Sequence, residues 1–327
     1  MGLKNLAMAV ALLLASPAHA DVAGAINNRI LPDLGAFRDA TRTLAETAAE
    51  TCAPETLRPV WNAAFDAWLP VSFLRLGPAE DEGRILAIAF WPDPKGIGAR
   101  QQRQLLQSQD AVVGDPAGFA ERSVALRGFF ALERLLYPTE PLTGDYPCAL
   151  IRATAADLAR MAAEIDQGWR DGFAQTLLSA GQPGNSLYLT EAEAKQALYT
   201  QLMTGFEFTA DQRLGRPLGT FERPRPERAE ARASARSLRN VELSLQSLLA
   251  FGEALAGPLP ETRADVAQAL TAAAALKDPD FSGFAQPQGH VRAEALLGLV
   301  RTAQDSAGAE AGAALGVEVG FNSADGD

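Results

Sequence analysis

Glu133 is the acid whose surroundings carry the most chemical meaning. It lies in the stretch 116–138, PAGFAERSVALRGFFALERLLYP, among Phe119, Val124, Leu126, Phe129, Phe130, Leu132, Leu135 and Leu136. Phe130 and Glu133 stand three residues apart and share a face if the stretch is helical. A carboxylate in such company is paired, hydrogen-bonded or functional. The arginines form the second chemical feature. Arg213, Arg216, Arg223, Arg225 and Arg228 crowd one connection, and Arg228, Arg232, Arg236 and Arg239 follow at helical spacing. Such a row is either a solvated face bridged to the rest of the chain or a clamp for a carboxylate or another anion, which the planar guanidinium fork suits.

Hydrolytic chemistry is harder to assemble. A zinc peptidase helix needs paired histidines with a glutamate. Beyond the first twenty residues the chain offers only His290, which reads as a surface or capping residue near a helix start. No cysteine cluster and no Gly-x-Ser-x-Gly elbow are present. A carboxylate-only site for calcium or iron, built from Glu133, Asp93 and other acids, stays open.

The elements that must position these residues read as helices nearly throughout. The stretch 22–50 is helical with a break near Pro32. The stretch 54–75 carries Trp61, Phe65 and Trp68 at i, i+4 and i+7, a core stripe rather than a ligand cage. Residues 77–98 are irregular, with an extended run at 85–90. The stretch 116–138 is a central helix bounded by two prolines. A long amphipathic helix follows over 146–178. A Gly/Pro/Asn/Ser loop at 181–186 marks the best boundary, and Thr190 with Glu193 forms a capping box beyond it. After a proline-rich connection at 214–226, helices are expected over 227–255, 261–277 and 288–314. The expected fold is all-α: two helical-bundle domains, 21–182 and 187–327, packed together through irregular connections.

Residues 1–20 read as a secretory signal: Lys4, an apolar run from Leu6 to Ala15, and Ala18-His19-Ala20 before Asp21. That run is too short to span a bilayer, and no cysteine for lipid attachment follows it. A periplasmic location without a membrane span is expected. The formal net charge of −11 argues against nucleic acid and anionic lipid as partners and favours cations, metal ions or a basic protein surface. Cys52 and Cys148 are the only cysteines. In an oxidising compartment they are expected to form a disulfide.

Arg127-Gly128-Phe129-Phe130-Ala131-Leu132-Glu133 resembles the signature helix of the imelysin family of bacterial envelope proteins, described by Gly-x-His-x-x-Glu. Gly128 and Glu133 match, and Phe130 stands where the motif has histidine. Ser234-Ala235-Arg236-Ser237-Leu238 with Asn240 is similar to the family's Ser-x-x-Ser-Leu helix. Trp68, Gly77-Pro78, Trp91-Pro92-Asp93 and the ending from Gly320 to Asp327 also resemble family segments, in family order. The resemblance implies a cleft between two bundles and a link to iron uptake. It places Glu133 at that interface with Gly128, Phe130, Trp68 and Asp93, and Ser234, Arg236, Ser237 and Asn240 opposite. On this reading the chain is an accessory protein binding a small ligand, a metal such as iron through Glu133, or an envelope partner. The alternatives are a peptidase whose motif has lost its histidine and a purely structural module. Two expectations about Glu133 follow: its pKa rises beside Phe130 unless an arginine pairs with it, and Arg236 is the candidate partner.

Overall fold

In a computed structural model, the described residues are 21–317. The expected signal segment and the family-like ending lie outside them. Among the described residues no β-strand occurs, only an isolated bridge between Thr220 and Arg223. The long helices are α1 (Leu31–Glu50), α2 (Pro54–Trp68), α3 (Ile97–Ser108), α4 (Gly128–Leu136), α5 (Tyr146–Gly168), α6 (Glu191–Glu207), α7 (Ser237–Ala256), α8 (Pro260–Leu276) and α9 (Pro287–Leu315). Prolines open several of these helices, where a missing N–H costs nothing. Thr190 caps α6 by accepting from the Glu193 N–H, while the Glu193 carboxylate reaches back to the Leu189 N–H.

Helices α1, α2, α4 and α5 pack on one another in the first half, and α6 to α9 do so in the second. Backbone and apolar contacts tie the halves at two places. The opening turns at Val22–Ile30 leave the first group and lie on α7, with the Asp21 N–H bonded to Leu255 O at 2.9 Å. Phe73 sits beside Gly205 of α6 and meets Phe251 of α7 edge-on at 5.1 Å. The buried apolar residues form one continuous cluster from Ala25 to Leu315. Cys52 and Cys148 are disulfide-bonded, joining the approach to α2 to the start of α5.

Four expectations are corrected. The stretch 116–138 is not one helix. A short helix, Pro116–Ala120, and a 3-10 turn, Val124–Leu126, precede α4. The break falls where Arg127 is extended and Gly128 adopts φ +69°. The run at 85–90 is not extended but mostly the short helix Arg84–Ile88. The arginines at 228, 232, 236 and 239 do not share a helix face, because α7 begins only at Ser237. The segment before it turns sharply, with Ala231 and Ala235 at positive φ. His290, expected at the surface, is 2% exposed. Phe221 covers it edge-on at 5.4 Å.

Candidate functional site

Gly128 sets the position of α4. A Cβ there would lie 2.2 Å from the carbonyl oxygens of Ala87 and Ile88, so only glycine lets α4 start against that helix. Below it, Phe129 stacks on Phe65 at 4.6 Å and Phe130 meets Phe65 edge-on at 5.8 Å. At the far end the Arg58 guanidinium donates to Leu136 O at 2.8 Å, closing an open helix-end carbonyl. Between these fixed ends Glu133 points across to the second half of the chain.

There it meets Ser234. The Ser234 N–H donates to Glu133 Oε1 at 2.9 Å and the Ser234 hydroxyl lies 2.7 Å from the same oxygen. The hydroxyl also lies 3.0 Å from Ala231 O, so its single proton has two acceptors. Glu133 is 7% exposed. Burial raises its pKa above the ordinary glutamate value and the charge of Glu230 adds to the rise; the two Ser234 bonds and Arg134 only moderate it. Arg134 donates to Gln102 at 2.6 Å and to Ala125 O at 3.0 Å, and burial pulls it down to about 10.

Arg236 does not pair with Glu133, contrary to expectation. It reaches α2, where it donates to Asp66 at 2.6 Å and to Asn62 Oδ1 at 2.7 Å. Its guanidinium lies over the Phe65 ring at 4.7 Å. Arg239 adds a two-pronged contact to Asp66 at 2.9 and 2.6 Å. Burial alone would raise Asp66, but the bonds from Arg239 and Arg236 outweigh it and hold the carboxyl below its ordinary value. A third group lies deeper. Glu230 accepts from Arg213 at 2.7 Å and from the Asn240 amide at 2.9 Å, while the Ser237 hydroxyl donates to Glu230 O at 2.7 Å.

The expected site residues therefore divide. Glu133 and Ser234 form one group, with Gly128 and Phe130 on the same short helix but packed on Ile88 and Phe65. Arg236 belongs to a second, with Asp66, and Ser237 and Asn240 to a third, with Glu230. Asp93 is separate: its carboxylate accepts from the N–H groups of Ile97 and Gly98, both at 2.8 Å, and so caps α3. Trp68 packs on Phe37 at 5.0 Å and lines a cavity of about 40 Å3 with Trp91, Phe208 and Arg213. Asp66, Asn62 and Glu230 are residues that sequence reasoning missed. The only advance signal for the first two was their four-residue spacing beside the aromatic stripe of α2.

The donor set does not suit a metal ion at Glu133. Its Oε1 accepts from an N–H and faces a hydroxyl, Phe130 fills the motif's nitrogen position, and among the described residues no three His, Cys, Asp or Glu side chains converge. What the arrangement can do is hold a titratable carboxylate of one half against a tight turn of the other.

Comparison with known proteins agrees with this framework. The model of the imelysin peptidase family matches residues 30–306. Iron-regulated protein A of Synechococcus elongatus is 30% identical over 203 residues, which cover 60% of this chain and 51% of that protein. The match thus spans about half the length of that relative. An imelysin-like protein from Psychrobacter arcticum superposes with a TM-score of 0.70 at 18% identity, covering 92% of this chain and 96% of its own. A candidate iron-regulated protein A precursor from Parabacteroides distasonis does so with a TM-score of 0.69 at 11% identity, covering 90% and 96%. At these identities the two structures speak for the fold.

Proposed function

The chain belongs to the imelysin family, and from that premise we propose that it is an exported, ligand-binding accessory protein linked to iron uptake. Its working site is the junction where Glu133 of α4 meets Ser234. The observation that carries this reading is the buried Glu133 carboxylate, whose hydrogen-bond donors both come from one residue of the other half of the chain. The cavity lined by Trp68, Arg213 and Glu230 draws its walls from both halves, and the charge of Glu230 acts on Glu133, so a ligand entering it would act on both halves at once. On this reading 21–182 and 187–327 are two helical units that can shift about the loop between them. The names of the relatives support the iron link, and the run at 6–15 before Ala18-His19-Ala20 supports export. Among the described residues no helix is long and apolar enough to cross a membrane. The unfavourable donor set at Glu133 supports a small molecule or an envelope partner over a metal ion as the bound species, and an accessory role over peptidase activity.

The test is made in the source bacterium. A deletion strain should grow poorly under iron chelation, and wild-type chain should restore growth where Glu133→Ala does not. Unimpaired growth of the deletion strain would overturn the iron link. Casein cleavage by the purified protein, abolished in Glu133→Gln, would overturn the accessory role. Recovery of the protein from the periplasmic fraction with Asp21 as its first residue is the expected result for export.

A further inference from the structure

Resting on the ligand-binding reading above, we infer that the cavity beside the Arg213–Glu230 pair binds a small organic monocarboxylate, with Arg75 as its principal anchor. The cavity lies between the loop after α2 and the end of α6, and both Arg75 and Arg213 line it. The two guanidinium groups lie over the same ring, Phe208, at 5.7 and 4.8 Å from its centre. Their charges are not equally matched. Glu230 neutralises Arg213 at 2.7 Å. Arg75 makes no ion pair among the described residues, although Glu80 acts on it at longer range. Burial and the like charge of Arg213 together pull Arg75 below its ordinary value. The site therefore carries one uncompensated positive charge in a chain of net charge −11.

That surplus defines the class of occupant. A cation is repelled, a neutral group leaves the second guanidinium unmatched, and a dianion overshoots by one charge. A carboxylate offers the planar pair of oxygens that an arginine fork engages. Trp68, Trp91 and Phe208 supply flat apolar walls for its stem. The volume of about 40 Å3 is room for roughly three water-sized groups, enough for a carboxylate with a short stem and too small for a haem or a peptide. Arg75 is held in place independently of any ligand, because its backbone N–H donates to Gln201 of α6 at 2.8 Å.

The experiment titrates the full chain with propionate, its neutral isostere propionamide and propylammonium at fixed ionic strength, followed by calorimetry and tryptophan fluorescence. Trp68 and Trp91 report from the walls. The expected result is saturable binding of propionate alone, weakened at least tenfold in Arg75→Gln. Arg75 keeps part of its surface in solvent and makes no ion pair among the described residues, so the variant should keep the wild-type melting temperature. Equal binding of propionamide, or undiminished propionate binding by Arg75→Gln, would overturn the assignment. If propionate is inert while haem, ferrous or ferric ion binds, the carboxylate assignment falls and the ligand-binding reading survives. If none of these probes binds, both fall.

Discussion

Two carboxylates of the first half, Glu133 on α4 and Asp66 on α2, face the same short segment of the second half and are handled in opposite ways. Asp66 receives two arginines and is held below its ordinary pKa. Glu133 receives one serine, no arginine bond, and a pKa pushed up by burial. The positions are separated by little in sequence terms, since Ser234 and Arg236 are neighbours but one. What differs is the direction imposed by the turn at Ala235. This interface uses its strong ion pairs to fasten α2 to α7, while Glu133 is left with serine bonds alone and a raised pKa.

The largest effect should come from the fastening. Asp66→Ala leaves the Arg236 guanidinium, 2% exposed, with Asn62 as its main polar partner. Removing one member of a fully buried pair costs about 3–5 kcal/mol; with Asp66 itself 29% exposed, urea unfolding should show a loss of about 2–3 kcal/mol. A loss below about 1 kcal/mol would mean the two carboxylates are energetically alike and the contrast fails.

The pH dependence is the next test, and the two groups have opposite signs. A raised pKa contributes stability below the unfolded value that disappears as pH rises through the folded value; a lowered pKa contributes stability above the unfolded value that disappears as pH falls. Glu133→Gln should therefore gain on the wild type as pH rises above the ordinary glutamate range. The deficit of Asp66→Asn should shrink as pH falls below the ordinary aspartate range. Melting temperatures across pH would show the two difference curves running in contrary directions, and parallel curves would refute the assignment.

The smallest effect sharpens the separation itself. Glu133→Gln keeps an oxygen for Ser234 and should change stability at neutral pH by no more than about 1 kcal/mol. Combined with Arg236→Ala in a double-mutant cycle, it should show a coupling within about 0.5 kcal/mol of zero. A larger coupling would place Arg236 on Glu133 after all.

The sequence carried the framework further than the contacts. Helical periodicity, prolines at helix starts and the Thr190–Glu193 pair are local signals, and they located α5, α6, α8 and α9 closely, whereas α3 was not expected and α4 and α7 begin well after their expected starts. The two cysteines, alone in the chain, gave the disulfide. Gly128 and Glu133 were legible because a motif fixes their spacing. Arg236 was assigned the wrong acid because an arginine side chain is long, and its partner depends on a turn that no periodicity announces. The positive φ values of Ala231 and Ala235 break the arginine row, and neither alanine advertises them. Asp66 and Glu230 were not singled out in the sequence, since partners brought by a distant segment leave no trace in neighbouring residues. His290 misled for the same reason: Phe221 covers it from a different part of the chain.

The crosslink between Cys52 and Cys148 has a mechanical consequence. It closes a loop of 96 residues that contains α2, α3 and all of α4. If the chain were drawn out by its ends, tension would pass through the two sulfur atoms and bypass that loop. Roughly 330 Å of contour length, at about 3.4 Å per residue, would stay hidden. The second half and the turn bearing Ser234 would unravel under load, while the Glu133 side of the junction kept its covalent enclosure. The two partners at the junction thus differ in what a pulling force can reach, and the half that carries the glutamate is the one shielded.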